Sequence, residues 1–280
     1  MRIGHELRNM KSTTVIAALL FLLIGRVGLA DRLPAPPAGY HWEMVRELSD
    51  EFNEGKLDSS KWTPDHPYWK GREPSRFKEE NVSVHHGNLD LRSTTNLKSL
   101  SEVGDPWRDN WVQSACVSSK NPIASYGYYE ARIKASQLSM TSSFWFQGKY
   151  SEIDVVEQIG APLLAPERSR YMMMNTHYFT GSPMQNQATP AKSKMRSGAA
   201  EEFHVYGVWW QDKDSVVFYQ DGKEVARLSP RGEFTEPMYL FFDTEVFRDA
   251  GLPTVDSLND DRKNAMYIDW VRSWKLVRTK

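Results

Sequence analysis

From about residue 40 onward the chain reads as short runs rich in β-branched and aromatic residues, broken by clusters of Gly, Pro, Asn and Asp. The runs fall at 81–84, 88–93, 126–135, 142–146, 152–157, 204–211, 215–220, 238–243 and 266–276. Several alternate with a period of two, as half-buried strands do. In 127–134, Tyr129, Ala131 and Ile133 share the expected core face, while Tyr128, Glu130, Arg132 and Lys134 share the other. Asp221-Gly222 between Val216-Val217-Phe218-Tyr219 and Val225-Ala226-Arg227-Leu228 predicts a tight hairpin. No long amphipathic helical pattern and no fixed-period repeat interrupts this series, so the expected class is all-β, an antiparallel sandwich or jelly roll. Longer connections are expected at 63–76, 97–111, 159–170, 179–201 and 246–263. Several carry residues that are costly to expose without use: Tyr68, Trp69, Arg72, Trp107, Arg108, Phe179 and Arg248.

The first thirty residues have a different pattern. Arg2, Arg8 and Lys11 precede an uninterrupted apolar run of ten residues, 15–24, and a small-residue end at Gly28-Leu29-Ala30. That is the layout of a cleaved export signal, and the run is short of the roughly 20 residues that span a bilayer. Cleavage after Ala30 would release the protein to the periplasm or medium, with no membrane association afterwards. Residues 31–39, rich in proline and small residues, read as a short linker, and 40–280 as the working domain.

Composition narrows the function. Residues 1–30 hold four of the 35 basic and one of the 36 acidic residues, so the remainder carries a net charge of about −4, which gives nucleic acid or an anionic membrane no electrostatic footing. The single cysteine, Cys116, excludes an internal disulfide and reads as a small buried hydrophobe. All ten tryptophans lie beyond residue 40, enough for both a core and aromatic platforms under a ligand. A monomer is expected.

The chemistry concentrates in Ser151-Glu152-Ile153-Asp154-Val155-Val156-Glu157, where three carboxylates sit inside an apolar strand. Buried like charges repel and lose hydration, a cost that persists mainly where catalysis or a cation requires it. In a regular strand Glu157 would face away from Glu152 and Asp154. A β-bulge at Val155-Val156 restores the phase, and four effective steps of ~3.3 Å then separate the glutamate Cα atoms by roughly 13 Å. With each side chain leaning inward by about 4 Å, the carboxyls approach to ~5 Å, the spacing of a retaining glycosidase. Glu152 would attack the anomeric carbon. Glu157 would protonate the leaving oxygen and then activate water, while Asp154 would hydrogen-bond the nucleophile and tune its charge. The competing readings of the same triplet are a metal site and a solvated acidic strand.

This strand resembles the bulged Glu-x-Asp-x-x-Glu signature of the family 16 glycoside hydrolases. The resemblance extends to Asp50-Glu51-Phe52-Asn53 with Leu57-Asp58 and Lys61-Trp62, and to Tyr126-Gly127-Tyr128-Tyr129-Glu130-Ala131-Arg132. It continues through Tyr206-Gly207-Val208-Trp209-Trp210, Tyr219-Gln220-Asp221-Gly222 and Ile268-Asp269-Trp270-Val271-Arg272. It implies a jelly-roll β-sandwich of two curved antiparallel sheets, a substrate cleft on the concave face, and internal cleavage with retention. Trp69-Lys70-Gly71-Arg72-Glu73-Pro74-Ser75, Thr141-Ser142-Ser143-Phe144-Trp145, Met174-Asn175-Thr176-His177 and Asp243-Thr244-Glu245 resemble the β-agarase and β-porphyranase branch. That branch implies a galactan polysaccharide, with β-1,4 cleavage of agarose as the leading expectation. A β-porphyranase cutting a sulfated galactan is the alternative, and Arg72, Arg108, Arg168, Arg196 and Arg248 could face its sulfates. The same likeness gives Trp145 as a platform beside the cleaved bond, His177 as a sugar contact near Glu157, and Trp69, Arg72 and Glu245 as substrate-binding residues. It implies no catalytic cofactor, and a structural calcium ion held by Asp269 and the Gly87 carbonyl. A non-catalytic carbohydrate-binding sandwich would use the same aromatics but has little use for the acid triplet.

Overall fold

The computed structural model of the chain describes residues 33–181 and 184–280. The expected export signal and Asp31-Arg32 of the expected linker lie outside the described residues. The rest of the linker is tied to the body: Trp42 Nε1 donates to the Pro34 carbonyl at 2.7 Å.

Alternating sequence becomes two eight-stranded antiparallel sheets among the described residues. The first holds β1 (Tyr40–Met44), β4 (Val82–His85), β5 (Asn88–Arg92), β8 (Gly127–Lys134), β14 (His204–Asp212), β15 (Ser215–Gln220), β16 (Lys223–Leu228) and β18 (Ala265–Arg278). Its order is β16-β15-β14-β8-β18-β5-β4, with β1 also paired to β18. The second holds β2 (Trp62–Thr63), β7 (Cys116–Ser119), β9 (Thr141–Gln147), β10 (Ser151–Ile159), β11 (Tyr171–Thr180), β12 (Gln185–Ala188), β13 (Ala191–Lys194) and β17 (Tyr239–Asp243). Its order is β12-β11-β10-β9-β17-β7-β2, with β13 also on β11. A small parallel pair, β3 (Ser75–Phe77) and β6 (Val112–Ser114), braces the loops at one side.

The facing sides of the two sheets form one core. Tyr129, Ala131 and Ile133 of β8 join Tyr206, Val208 and Trp210 of β14 against Phe144 and Phe146 of β9, Val155 and Val156 of β10, and Leu240 and Phe242 of β17. Each such side chain contributes roughly 1.5–3 kcal/mol when removed from water, so the inward register of β8, β14, β9 and β17 is strongly specified. Asp221 and Gly222 both adopt positive φ, 48° and 75°, which closes the expected β15–β16 hairpin with the twist two-residue turns favour.

Two expectations about the surroundings change. The outer face of β8 is not open, because Trp42 and Trp274 lie on Tyr128 with ring centroids at 6.1 and 5.8 Å, and Tyr128 donates to Glu130 at 2.9 Å. The connection expected at 179–201 contains two short strands, β12 and β13. Both are polar strands at the sheet's edge, where one-sided pairing leaves no hydrophobic alternation to read.

Candidate active site

Catalytic geometry starts at the turn before β10. Glu236 accepts the main-chain N–H groups of Lys149, Tyr150 and Ser151 at 3.0, 2.6 and 2.8 Å and the Ser151 hydroxyl at 2.8 Å. From this anchor β10 pairs with β9 through Glu152↔Gln147, Ile153↔Phe146 and Asp154↔Trp145, then resumes at Val156↔Phe144 and Glu157↔Ser143. Val155 is the extra residue. Val155 and Val156 both enter the core, and Glu152, Asp154 and Glu157 open into one groove of about 630 Å³. That volume suits a few sugar units.

The three acids have different surroundings. Gln147 Nε2 donates to Glu152 Oε2 at 2.5 Å, and the Tyr68 hydroxyl donates to Gln147 Oε1 at 2.9 Å, which holds the amide in the orientation that offers N–H to the carboxylate. Burial nonetheless pushes Glu152 well above the usual carboxylate range, with the Asp154 charge adding to it and His177 and Gln147 opposing. Asp154 is likewise pushed well up, by burial and then by Glu157. Burial also raises Glu157, with His177, Arg72 and Arg168 pulling back and Glu245 pushing further. Carboxyls this close share protons rather than ionise together. Geometry separates the two glutamates: Glu152 has an N–H donor in place, as an anion needs. No side chain among the described residues donates to Glu157, which suits a group that must carry a proton.

His177 stands across from Glu152 in the β10–β11 register. Its Nε2 lies 3.1 Å from Asp154 Oδ2 and 3.8 Å from Glu152 Oε1. Its nearest carboxylates are Asp154 and Glu152, set by antiparallel pairing, and it also lies close enough to Glu157 to lower that acid. Nδ1 sits 2.8 Å from the Asn186 side-chain oxygen on β12, which turns Nε2 toward the acids.

Further across the sheet, Trp145 stacks on Phe241 at 4.5 Å, with His66 stacked on both rings at 5.7 and 4.3 Å. Trp145 lines the groove. Trp69 is 44% exposed at the rim, and its Nε1 donates to Glu245 Oε1 at 2.8 Å while Arg72 Nε donates to Glu245 Oε2 at 3.2 Å. All three line the groove, but Glu245 spends both oxygens on holding Trp69 and Arg72 rather than presenting itself.

The five arginines separate. Arg72 lines the groove, over the Phe247 ring at 4.8 Å, and Arg168 reaches Glu157 electrostatically while bound to Asp249 at 2.5 Å. Arg248 covers Trp107 at 4.9 Å, Arg108 pairs with Asp105 at 3.8 Å and Arg196 with Glu202 at 3.1 Å; none of these three lines the groove.

Sequence reasoning missed His66, Gln147, Asn186, Asp243 and Phe247, all groove-lining. His66 is buried and pushed down to about 4 by that burial, so it is neutral, with Nδ1 accepting the Trp69 main-chain N–H at 3.0 Å. Asp243 is buried and pushed well up by desolvation, then by Glu245 and Glu157, with the Ser143 hydrogen bond and Arg72 opposing. Cys116 is buried as expected.

For the implied calcium, Asp269 offers a carboxylate whose Oδ2 is already held by Arg132 at 2.5 Å, and Gly87 occupies a positive-φ corner, 75°, between β4 and β5. Calcium takes six to eight oxygens. One half-neutralised carboxylate fits that need only with several main-chain carbonyls beside it.

The profile of the family described as β-porphyranase A–D, GH16 domain, matches residues 42–276. β-Porphyranase B of Phocaeicola plebeius is 34% identical over 282 residues, covering 88% of this chain and 88% of the relative. β-Porphyranase E of Zobellia galactanivorans is 34% identical over 260 residues, covering 86% of this chain and 90% of the relative. Among solved structures, the β-porphyranase BpGH16B from the human gut bacterium Bacteroides plebeius is 33% identical, with a TM-score of 0.79 over 89% of this chain and 96% of that one.

Proposed function

The chain belongs to the GH16 glycoside hydrolases of the β-porphyranase A–D family, and from that premise we propose that it cuts sulfated agar-type galactan internally, by retaining double displacement. The observation that carries this reading is the bulged strand, which sets Glu152, Asp154 and Glu157 on one groove face beside Arg72. Glu152, hydrogen-bonded by Gln147, attacks the anomeric carbon. Glu157 gives its proton to the departing glycosidic oxygen and then takes one from the water that releases the product. Asp154, between them and against His177, tunes the charge of the nucleophile.

The substrate preference reverses the leading expectation from the sequence, agarose. A sulfate ester is anionic and accepts hydrogen bonds without donating any, which matches a guanidinium fixed at the groove by Glu245 and Phe247. The names of the relatives support the same choice.

Incubating residues 31–280 with porphyran and with agarose, and identifying products by mass, tests the proposal. Sulfated oligosaccharides from porphyran alone are expected. Neutral products from agarose would overturn the substrate and leave the hydrolase standing. Glu152→Gln should abolish turnover while sugar binding persists; binding without turnover in the unaltered protein would favour the carbohydrate-binding sandwich.

Three accompanying expectations are part of this proposal. The enzyme acts outside the cytoplasm after cleavage at Ala30, which N-terminal sequencing of the exported protein checks. It acts as a monomer, which sedimentation checks. Calcium at Asp269 and Gly87 supports the fold, and chelation should then lower Tm and leave kcat intact at temperatures where the protein stays folded.

A further inference from the structure

We propose that Glu152, Asp154 and His177 form a transition-metal site, and that a zinc-class cation bound there blocks the nucleophile reversibly.

One ligand atom from each residue lies within 4.8 Å of the others. Tetrahedral zinc with bonds of about 2.0–2.2 Å sets its ligand atoms about 3.3–3.6 Å apart. The separations from His177 Nε2, 3.1 Å to Asp154 Oδ2 and 3.8 Å to Glu152 Oε1, straddle that value, so those two edges need side-chain shifts of only a few tenths of an ångström, and the carboxylate–carboxylate edge lies within 4.8 Å.

Two further observations point to a ligand. Asp154 is buried, 3% exposed, and its Oδ2 has no hydrogen-bond partner although it faces the imidazole. An orphaned carboxylate oxygen in a dry position gains more from a cation than an exposed one does. The second is the orientation of His177. Asn186 pairs with Nδ1 at 2.8 Å and turns Nε2 toward the acids, the arrangement that outer partners impose on metal-binding histidines. An imidazole nitrogen with two carboxylates selects zinc or copper(II) over calcium or magnesium.

The fourth position of such an ion opens into the groove and is available to water. With Glu152 Oε1 bound to metal, the nucleophile's electron pair is no longer free to attack, and substrate and metal compete for the same space. The metal site itself is independent of the hydrolase reading; only the inhibition rests on it.

Calorimetric titration of the mature protein with zinc chloride alone separates the two. One equivalent should bind, Tm should rise with zinc, and a galactan oligosaccharide should compete. His177→Gln should weaken zinc binding at least 100-fold. Asn186→Ala, on an exposed side chain outside the triad, should weaken it by about 10- to 100-fold and serves if the first variant fails to fold. Unchanged affinity in both variants would overturn the site, as would zinc that binds without displacing the oligosaccharide; zinc held by the neighbouring His85 and His86, whose rings lie 3.8 Å apart, would behave that way. Competitive zinc binding to a protein inactive on every galactan would uphold the site and sink the hydrolase reading instead.

Discussion

Gln147 donates to Glu152 at 2.5 Å because the two residues are direct partners across β9 and β10, and Tyr68 fixes which end of the amide faces the acid. This bond opposes the burial that raises Glu152. Removing it raises the pKa further, so a larger share of Glu152, the proposed nucleophile, is protonated at a given pH. Gln147→Ala should therefore move the acid limb of kcat/KM to higher pH and lower activity there by about 10- to 100-fold, the range for a lost bond to a charged group. The pH profile is the measurement, and an acid limb that stays in place would show that Gln147 does not tune the nucleophile.

Arg72 acts on two quantities at once. Its charge pulls Glu157 down, against the burial and the Glu245 charge that push it up. Replacing it by methionine removes the lowering influence, so Glu157 keeps its proton to higher pH. Because Glu157 must be protonated to act as the acid, the alkaline limb of kcat for Arg72→Met should shift upward. KM for porphyran should rise in the same variant. A downward shift would contradict the assignment of Glu157 as the acid.

The bulge at Val155 is legible in the sequence because three acids and an apolar alternation cannot coexist in a regular strand without it. The same logic makes the core face of β8 and the Asp221-Gly222 hairpin readable. What alternation cannot supply is register between strands distant in sequence. Only the family likeness ties His177 to the acid strand in sequence, and the β10–β11 register then sets it opposite Glu152. His66 is invisible for the same reason: it is an ordinary polar residue in sequence and becomes a groove wall only when β7, β17 and the loop after β2 meet. Three of the five arginines find local partners, which composition cannot foresee.

The pairing scheme also makes an unexpected prediction about that bulge. Every other residue from Glu152 to Glu157 already has a partner on β9, and Val155 is the surplus. Deleting it straightens the strand yet leaves Glu157 two positions beyond Asp154, on the same face. The deletion should cost about 2–5 kcal/mol through the lost core contacts, measured by denaturant unfolding, and retain measurable hydrolysis. Inserting an alanine after Val156 instead turns Glu157 toward the core and should abolish activity. Equal loss in both variants would show that the bulge itself, and not the face it restores, is what catalysis needs.

Asp90 allows a test of burial without touching the groove. It lies on β5, buried, with Oδ1 unpartnered, and desolvation raises it to about 6 despite Arg92 nearby. Since the folded pKa lies above the ordinary 3.8, the folded protein binds the extra proton. Stability is therefore gained as pH falls through 6 toward 4, and the cost of the buried charge is fully present above 6. Arg92 keeps its bond to Asn264 at 2.8 Å, so removing the Asp90 charge does not strand it. Asp90→Asn should raise stability by about 1–3 kcal/mol at pH 8, a Tm gain of roughly 2–10 °C, and leave it nearly unchanged at pH 4. Thermal unfolding at the two pH values decides the matter: an equal gain at both would trace the effect to packing, and a loss at pH 8 would mean that the carboxylate charge is held favourably in the fold.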